Sequence, residues 1–351
     1  MTALLLIFAI WCGLTFFGVR PLIRLGVVAA LWLGVIALLA MRPHMTGIGR
    51  IEAWLIGGGL LAIILGYRWI LGLMQRRAEA GGDHGPGLIG GAPVVSDKMS
   101  EAELDRYARH IVLRELGGPG QRKLRQAKVL IVGAGALGSP VGLYLAAAGV
   151  GHITIADDDT VSLSNLQRQV AFSDRDTGRS KAVTMTQRLQ ALNPHIKLTP
   201  LVRRISAEDE VFIRDFDLIL DGTDSFASRA AVNAAAAAAG VPVVAGSIAQ
   251  WEGQLTIWDP AHGAPCMACV FPVAPAPGLA PSCAEAGVVG ALPGVIGSMM
   301  ALEAIKLIAG AGDAARGRML IFDGLWGETR SIRLARDPAC PVCARIDGEQ
   351  P

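Results

Sequence analysis

Downstream of residue 127, short apolar runs alternate with stretches of helical period. KVLIVG (128–133), HITIAD (152–157), IKLTPLV (196–202), DLILD (217–221) and VPVVAG (241–246) read as strands, and 137–148, 181–192 and 225–239 as helices. Strands that alternate with helices predict an α/β domain of Rossmann-like type with a mostly parallel sheet. After residue 246 the pattern changes. QLTIWD (254–259), RMLIFDG (318–324) and TRSIRLAR (329–336) read as longer, alternating strands, separated by a Pro-rich loop and a helix at 289–309. The first 77 residues follow neither pattern. They hold uncharged apolar runs at 3–19 and 25–41, and a third at 53–74 that Arg68 interrupts near its end. A transmembrane helix needs about 20 mostly apolar residues, with ~17 as the lower bound. A long cationic side chain near the end of a span reaches the headgroups. We therefore expect transmembrane helices near 3–19, 22–41 and 53–74. Residues 78–99 are rich in glycine without a hydrophobic period and read as a flexible linker. A single α/β domain follows over 100–345.

Composition sharpens this division. The chain has 351 residues, 52% of them hydrophobic, with a mean hydropathy of +0.44. That excludes a disordered chain and is unusually apolar for a soluble enzyme. The formal charge of +2 hides two unlike parts. Residues 1–77 carry seven arginines against one acid, Glu52, and everything downstream carries a net negative charge. A uniformly basic nucleic-acid binder is thereby excluded. With three spans, Arg20, Arg24, Arg76 and Arg77 fall on one side and Arg42 and Arg50 on the other. The positive-inside bias then predicts a multi-pass protein of the inner membrane whose α/β domain faces the cytoplasm.

Candidate chemistry clusters in the α/β domain. Gly133-Ala134-Gly135-Ala136-Leu137-Gly138 is GxGxxG between a predicted strand and a predicted helix. Backbone amides and a helix N-terminus approach a phosphate there because no Cβ intervenes. Asp157 ends the next strand, where a carboxylate accepts from a ribose hydroxyl. These features point to a nucleotide without saying which one, and a nicotinamide- or flavin-dependent oxidoreductase uses the same loop. Asn165-Leu166-Gln167-Arg168-Gln169 and Lys181 follow. Two cations beside nucleotide phosphates suit phosphoryl or nucleotidyl transfer, in which charge develops on phosphate oxygens, better than hydride transfer. Asp221-Gly222-Thr223-Asp224 closes a strand. A carboxylate at that edge, beside a triphosphate, is a natural Mg²⁺ ligand.

Four of the six cysteines form two CxxC pairs, Cys266/Cys269 and Cys340/Cys343. In a cytosolic domain this is the pattern of a tetrahedral Cys₄ zinc site. Cys12 lies inside the first apolar run as a small hydrophobe. Cys283 stands alone in the Pro- and Gly-rich stretch 272–288 and reads equally as a nucleophile or as an inert thiol.

Taken in order, these motifs resemble the ThiF/MoeB/HesA family, the bacterial relatives of ubiquitin-activating enzymes. The resemblance covers 99–345 and includes Arg106-Tyr107-Ala108-Arg109-His110, Glu252-Gly253-Gln254 and Ser282-Cys283-Ala284-Glu285-Ala286-Gly287-Val288. It implies an adenylyltransferase that uses ATP and Mg²⁺ to activate the C-terminal glycine of a small ubiquitin-like sulfur carrier of the MoaD/ThiS type, as in molybdopterin or thiamine biosynthesis. By the same resemblance Gly133, Gly135 and Gly138 hold the nucleotide and Asp157 the ribose. Asn165, Arg168 and Lys181 contact phosphates, and Asp224 serves Mg²⁺ and the reacting centre. Arg109 matches an arginine that reaches the nucleotide of a partner subunit, which implies a homodimer. Cys283 matches a cysteine that some members use to handle sulfur or a thioester. Two features depart from the family: Gly222-Thr223-Asp224-Ser225 stands where CTDN is usual, and the apolar N-terminal segment is extra. A sulfur donor is expected from another protein, because no rhodanese-like domain is expected after residue 345. A non-catalytic membrane scaffold that binds nucleotide or carrier is the alternative from outside the enzymes.

Overall fold

The computed structural model describes residues 21–41, 98–276 and 287–344. It divides into two units, 1–95 and 96–351. In the first, Pro21–Met41 (α1) is one continuous helix of 21 residues, which coincides with the second expected span. The spans expected at 3–19 and 53–74 lie outside the described residues, as does nearly all of the expected linker.

The second unit opens with Glu101–Arg106 (α2), Ala108–Ile111 (α3) and Gly117–Gln126 (α4). Ser100 and Glu103 form a reciprocal cap on α2, satisfying amides that a helix start leaves unpaired. Arg125 on α4 pairs with Glu103 on α2 at 3.0 Å. Two long-range contacts tie these helices to the rest of the domain: Asn193 Nδ2 donates to the Tyr107 hydroxyl at 2.8 Å, and Gln121 Nε2 donates to the Ala148 carbonyl at 2.8 Å.

The chain then alternates as expected: Lys128–Val132 (β1), Gly138–Ala148 (α5), His152–Ala156 (β2), Lys181–Leu192 (α6), Lys197–Leu201 (β3), Glu210–Ile213 (α7), Leu218–Asp221 (β4) and Phe226–Ala239 (α8). Val243–Ala249 (β5) and Glu252–Trp258 (β6) follow, then the short Met267–Val270 (α9), Leu292–Ala309 (α10), Arg318–Asp323 (β7) and Glu328–Arg333 (β8). The eight strands form one sheet in the order β3-β2-β1-β4-β5-β6-β7-β8. The first five are parallel and the last three antiparallel.

Both faces of the central strands are covered, and β1 shows how. Val129 and Ile131 pack into one core with Leu137, Leu145, Met185 and Ile296, whereas Leu130 and Val132 pack into the other with Ile213, Val232 and Ala236. A strand buried on both sides has no polar face to show, which is why the central strands read as unbroken apolar runs. The helix α10 is long and apolar enough to cross a membrane, but half of it is buried in the domain, and it supplies Ile296, Met300 and Ala304 to the core.

Two boundaries move from those expected. The expected strands 241–246 and 254–259 meet as a hairpin, β5 with β6, that turns at Gln250-Trp251. Gln250 adopts a left-handed backbone, φ +50°; its amide donates to Gly287 O and its carbonyl accepts from Val289 N. That pairing makes Val288 a bridge partner of Gln250, so the helix expected from 289 starts at Leu292 with Pro293 in its first turn.

Candidate nucleotide site and cysteine cluster

Parallel strands point their C-terminal ends to one edge of a sheet, and open α/β sheets hold ligands there. At that edge β1, β2, β3 and β4 deliver their following loops into one cavity of about 310 Å³. It is lined by Gly133 and Gly135 after β1, Asp157–Asp159 after β2, Arg168 and Lys181 beyond them, Arg203 and Arg204 after β3, and Thr223, Asp224 and Arg229 after β4.

The glycine loop is set by close packing. Gly133 has φ +90°, and a Cβ on Gly138 would sit 1.9 Å from the Gly133 carbonyl oxygen. Gly138 does not line the cavity; it lets α5 start directly beneath the loop. Asp157 is held by two backbone amides, accepting from Ala134 N at 2.7 Å and from Asp159 N at 2.8 Å. Burial pushes the Asp157 carboxyl above its ordinary range, against those amides and the nearby Lys181 charge.

The cations are held by internal partners. The Lys181 side chain is 6% exposed, and its Nζ pairs with Asp159 at 2.8 Å. Arg168 donates to Asn165 Oδ1 at 2.7 Å and more weakly to the Ser164 carbonyl at 3.4 Å. Asn165 itself stands behind Arg168 rather than in the cavity wall. Arg204 pairs with Asp158 at 2.8 Å. Arg203 makes a forked contact with Asp209 and lies over the Phe212 ring.

Asp224 is exposed at the cavity edge and is sequence-adjacent to Ser225, whose Oγ accepts from Ser228 N and caps α8. Its carboxylate accepts no hydrogen bond and forms no ion pair among the described residues. A hard oxygen donor without a hydrogen-bond or ion-pair partner among the described residues, at the edge of this cavity, suits Mg²⁺. The hydroxyl of Ser225 thus caps the helix where the family has an amide.

Of the residues singled out in the sequence, Gly133, Gly135, Asp157, Arg168, Lys181 and Asp224 come together here. Arg109 is exposed on α3 and is not part of this cavity. Cys283 lies outside the described residues. The motifs do not point to Asp158, Asp159, Arg203, Arg204 or Arg229. Asp158 and Asp159 had a signal, since they complete an acidic triplet with Asp157; the arginines had none.

The second site joins distant parts of the chain. Cys266 and Cys269 flank the start of α9, and Cys340 and Cys343 lie beyond β8. All four ligand atoms lie within 4.8 Å of one another. Cys269 Sγ is 3.4 Å from Cys343 Sγ, Cys266 Sγ is 3.6 Å from Cys340 Sγ, and Cys266 and Cys269 are 3.8 Å apart. A tetrahedral zinc with Zn–S bonds of ~2.3 Å has S–S edges of about 3.8 Å, so the four thiols fit that ion. None is in a disulfide. Burial pushes the Cys266 and Cys343 thiols up. Cys340 is held down against its own burial by the backbone amides of Cys343 and Val342.

The sequence model of the ThiF family matches residues 107–342. The sulfur carrier protein adenylyltransferase of Thermus thermophilus is 43% identical over 259 residues, covering 72% of this chain and 94% of that protein. The molybdopterin-synthase adenylyltransferase of Escherichia coli is 43% identical over 249 residues, covering 71% of this chain and 99% of that one. Among solved structures, Escherichia coli MccB with MccA-N7isoASN superposes with a TM-score of 0.60 at 22% identity, over 70% of this chain and 76% of that chain. At that identity the likeness speaks for the fold.

Proposed function

Because the chain belongs to the ThiF family, we propose that it adenylates the C-terminal glycine of a small ubiquitin-like sulfur-carrier protein at the expense of ATP. The observation that carries this reading is the convergence in one cavity of the glycine loop, Asp157, Arg168, Lys181 and Asp224. A carboxylate oxygen of the carrier's last glycine attacks the α-phosphorus of ATP. The bond to the bridging oxygen breaks, an acyl-adenylate forms and pyrophosphate leaves. The loop at 133–138 cradles the nucleotide with backbone amides, and Asp157 accepts from the ribose.

Arg168 and Lys181 offset negative charge that grows on phosphate oxygens as the leaving bond lengthens. Each gives up an internal oxygen, Asn165 Oδ1 or Asp159 Oδ2, for one on the nucleotide. Asp224 would hold Mg²⁺, and the ion would supply charge screening for the phosphates. The four cysteines would hold a structural zinc that fastens the end of the domain to α9. Arg109, exposed on α3, would reach the cavity of a second subunit in a homodimer. Mixing an Arg109→Ala protein with a Lys181→Met protein tests this: activity restored in the mixture supports the shared site, and its absence rules it out.

We place the protein in the inner membrane through 1–77, with the α/β domain in the cytoplasm. In support, α1 at ~1.5 Å per residue spans roughly the thickness of a hydrocarbon core. A C-terminal reporter that works only in the periplasm should stay silent; strong signal there overturns the topology. Carrier-dependent ATP–pyrophosphate exchange tests the activity itself, using a ubiquitin-like protein ending in Gly-Gly. Exchange distinguishes adenylation from the oxidoreductase and scaffold alternatives, neither of which produces it.

A further inference from the structure

The geometry points to Arg229, on the first turn of α8, as the residue that positions Asp224 for its metal ion. This rests on reading Asp224 as the Mg²⁺ ligand. Arg229 donates twice to one acceptor, the Thr223 carbonyl, from Nε at 3.1 Å and from Nη2 at 2.7 Å. That carbonyl belongs to the peptide plane linking Thr223 to Asp224. A peptide plane is rigid, so fixing its oxygen fixes the N–Cα bond of Asp224, and the Cα–Cβ direction then depends only on the φ of that residue, which the anchored start of α8 restrains from the other side.

Three further contacts immobilise the segment on either side of that plane. Gly222 N donates to Val132 O at 2.9 Å, anchoring the turn to β1. The buried Asp221 carboxylate accepts from Thr223 N at 2.9 Å and from its hydroxyl at 2.8 Å. Ser225 Oγ accepts from Ser228 N at 3.1 Å and so fixes the first turn of α8. Asp224 thus lies between two residues that are each held by hydrogen bonds. The forked grip suits a guanidinium and not an ammonium, whose donors radiate from one point. The Arg229 charge also opposes the upward push that burial exerts on Asp221, so the same side chain serves both carboxylates of the DGTD turn.

The test uses the full chain and two readouts. The first is Mn²⁺ binding followed by paramagnetic resonance with a non-hydrolysable ATP analogue present. The second is pyrophosphate release with a Gly-Gly carrier over a Mg²⁺ titration. Arg229→Lys should weaken Mn²⁺ binding and raise the half-saturating Mg²⁺ by about fivefold to tenfold, the scale of one lost hydrogen bond. KM for ATP at saturating Mg²⁺ should stay within about twofold, because the phosphate-facing residues Arg168 and Lys181 are untouched. Arg229→Met, which keeps the stem and lacks every donor, should shift both metal readouts further. Asp224→Asn is the control. If Asp224→Asn shifts them and neither Arg229 variant does, the proposal is overturned while the reading of Asp224 stands. If Asp224→Asn itself leaves metal binding unchanged, the Mg²⁺ reading falls and this proposal with it. A lower melting temperature with unchanged Mn²⁺ affinity makes Arg229 a stability residue only, and also overturns the proposal.

Discussion

Around the nucleotide cavity, Lys181 rests on Asp159, Arg168 on Asn165 and Arg204 on Asp158, all pairs of unlike charge or polarity. In the cysteine cluster four like groups are pressed together within 4.8 Å, and burial works against ionising two of them. A site that must empty after each turnover keeps its cations on internal oxygens that a phosphate can replace and that reclaim them afterwards. A site that holds one ion for the life of the fold, as we propose for the cysteines, needs no such substitute, because the ion would supply the balancing charge. The difference is one of exchange against permanence, and it predicts different outcomes when each is cut.

The largest effect should come from the cluster. Replacing Cys340 and Cys343 together with serine should remove about one zinc per chain and lower the melting temperature strongly, since metal binding is folding free energy. Full zinc content in the double variant, measured by elemental analysis, would dissolve the contrast. Lys181→Met should do the reverse: lower the rate of adenylation ~10²–10³-fold through lost transition-state stabilisation, with little change in melting temperature, because Met keeps the buried stem. A comparable fall in stability would place Lys181 with the permanent groups instead.

Gly138→Ala sharpens the comparison. The added methyl would meet the Gly133 carbonyl, a backbone atom that moves only with the glycine loop. We expect about 1–3 kcal/mol of destabilisation from overpacking, with weaker ATP binding by calorimetry. Asn165→Ala should be milder. It removes the internal oxygen under Arg168 and should lower turnover by roughly tenfold or less, the worth of one hydrogen bond. The smallest effect belongs to Asp209, whose carboxyl the Arg203 hydrogen bonds hold below the usual range. With Arg203 partly exposed, Asp209→Asn should cost only ~0.2–1 kcal/mol. A lowered carboxyl stabilises the fold above its unfolded pKa and loses that contribution as pH falls through the folded value. The two proteins should therefore melt alike in acid and differ at neutral pH; equal melting at pH 7 would deny the pair any weight.

Much of this was readable in the chain because it is local. Gly133 to Gly138, and Asp157 at a strand end, are short spacings that a strand–turn–helix unit imposes, and the parallel sheet then brings their loops to one edge. The two CxxC pairs were readable for another reason: sulfur ligands at that spacing have few other uses. What was hidden is long-range or lacks periodicity. Arg203 and Arg204 reach the cavity only because β3 lies beside β2, and a register of strands leaves no trace in arginine spacing. That Asn165 Oδ1 accepts from Arg168 depends on side-chain direction, which no spacing in the chain records. The start of α10 at Leu292 rather than 289 depends on a bond from Gln250, some 40 residues earlier in the chain.

At the far end of the sheet, β8 pairs on one side only among the described residues, and all six of its own residues are exposed. An open row of amides and carbonyls invites stacking with a second chain and, in time, fibre growth. Glu328, Arg330 and Arg333 occupy that strand, so two copies that met edge to edge in parallel register would set like charges opposite one another. Such an electrostatic guard makes colloidal behaviour sensitive to ionic strength. High salt, which leaves the buried pairs untouched, should make concentrated solutions turbid before the fold itself gives way.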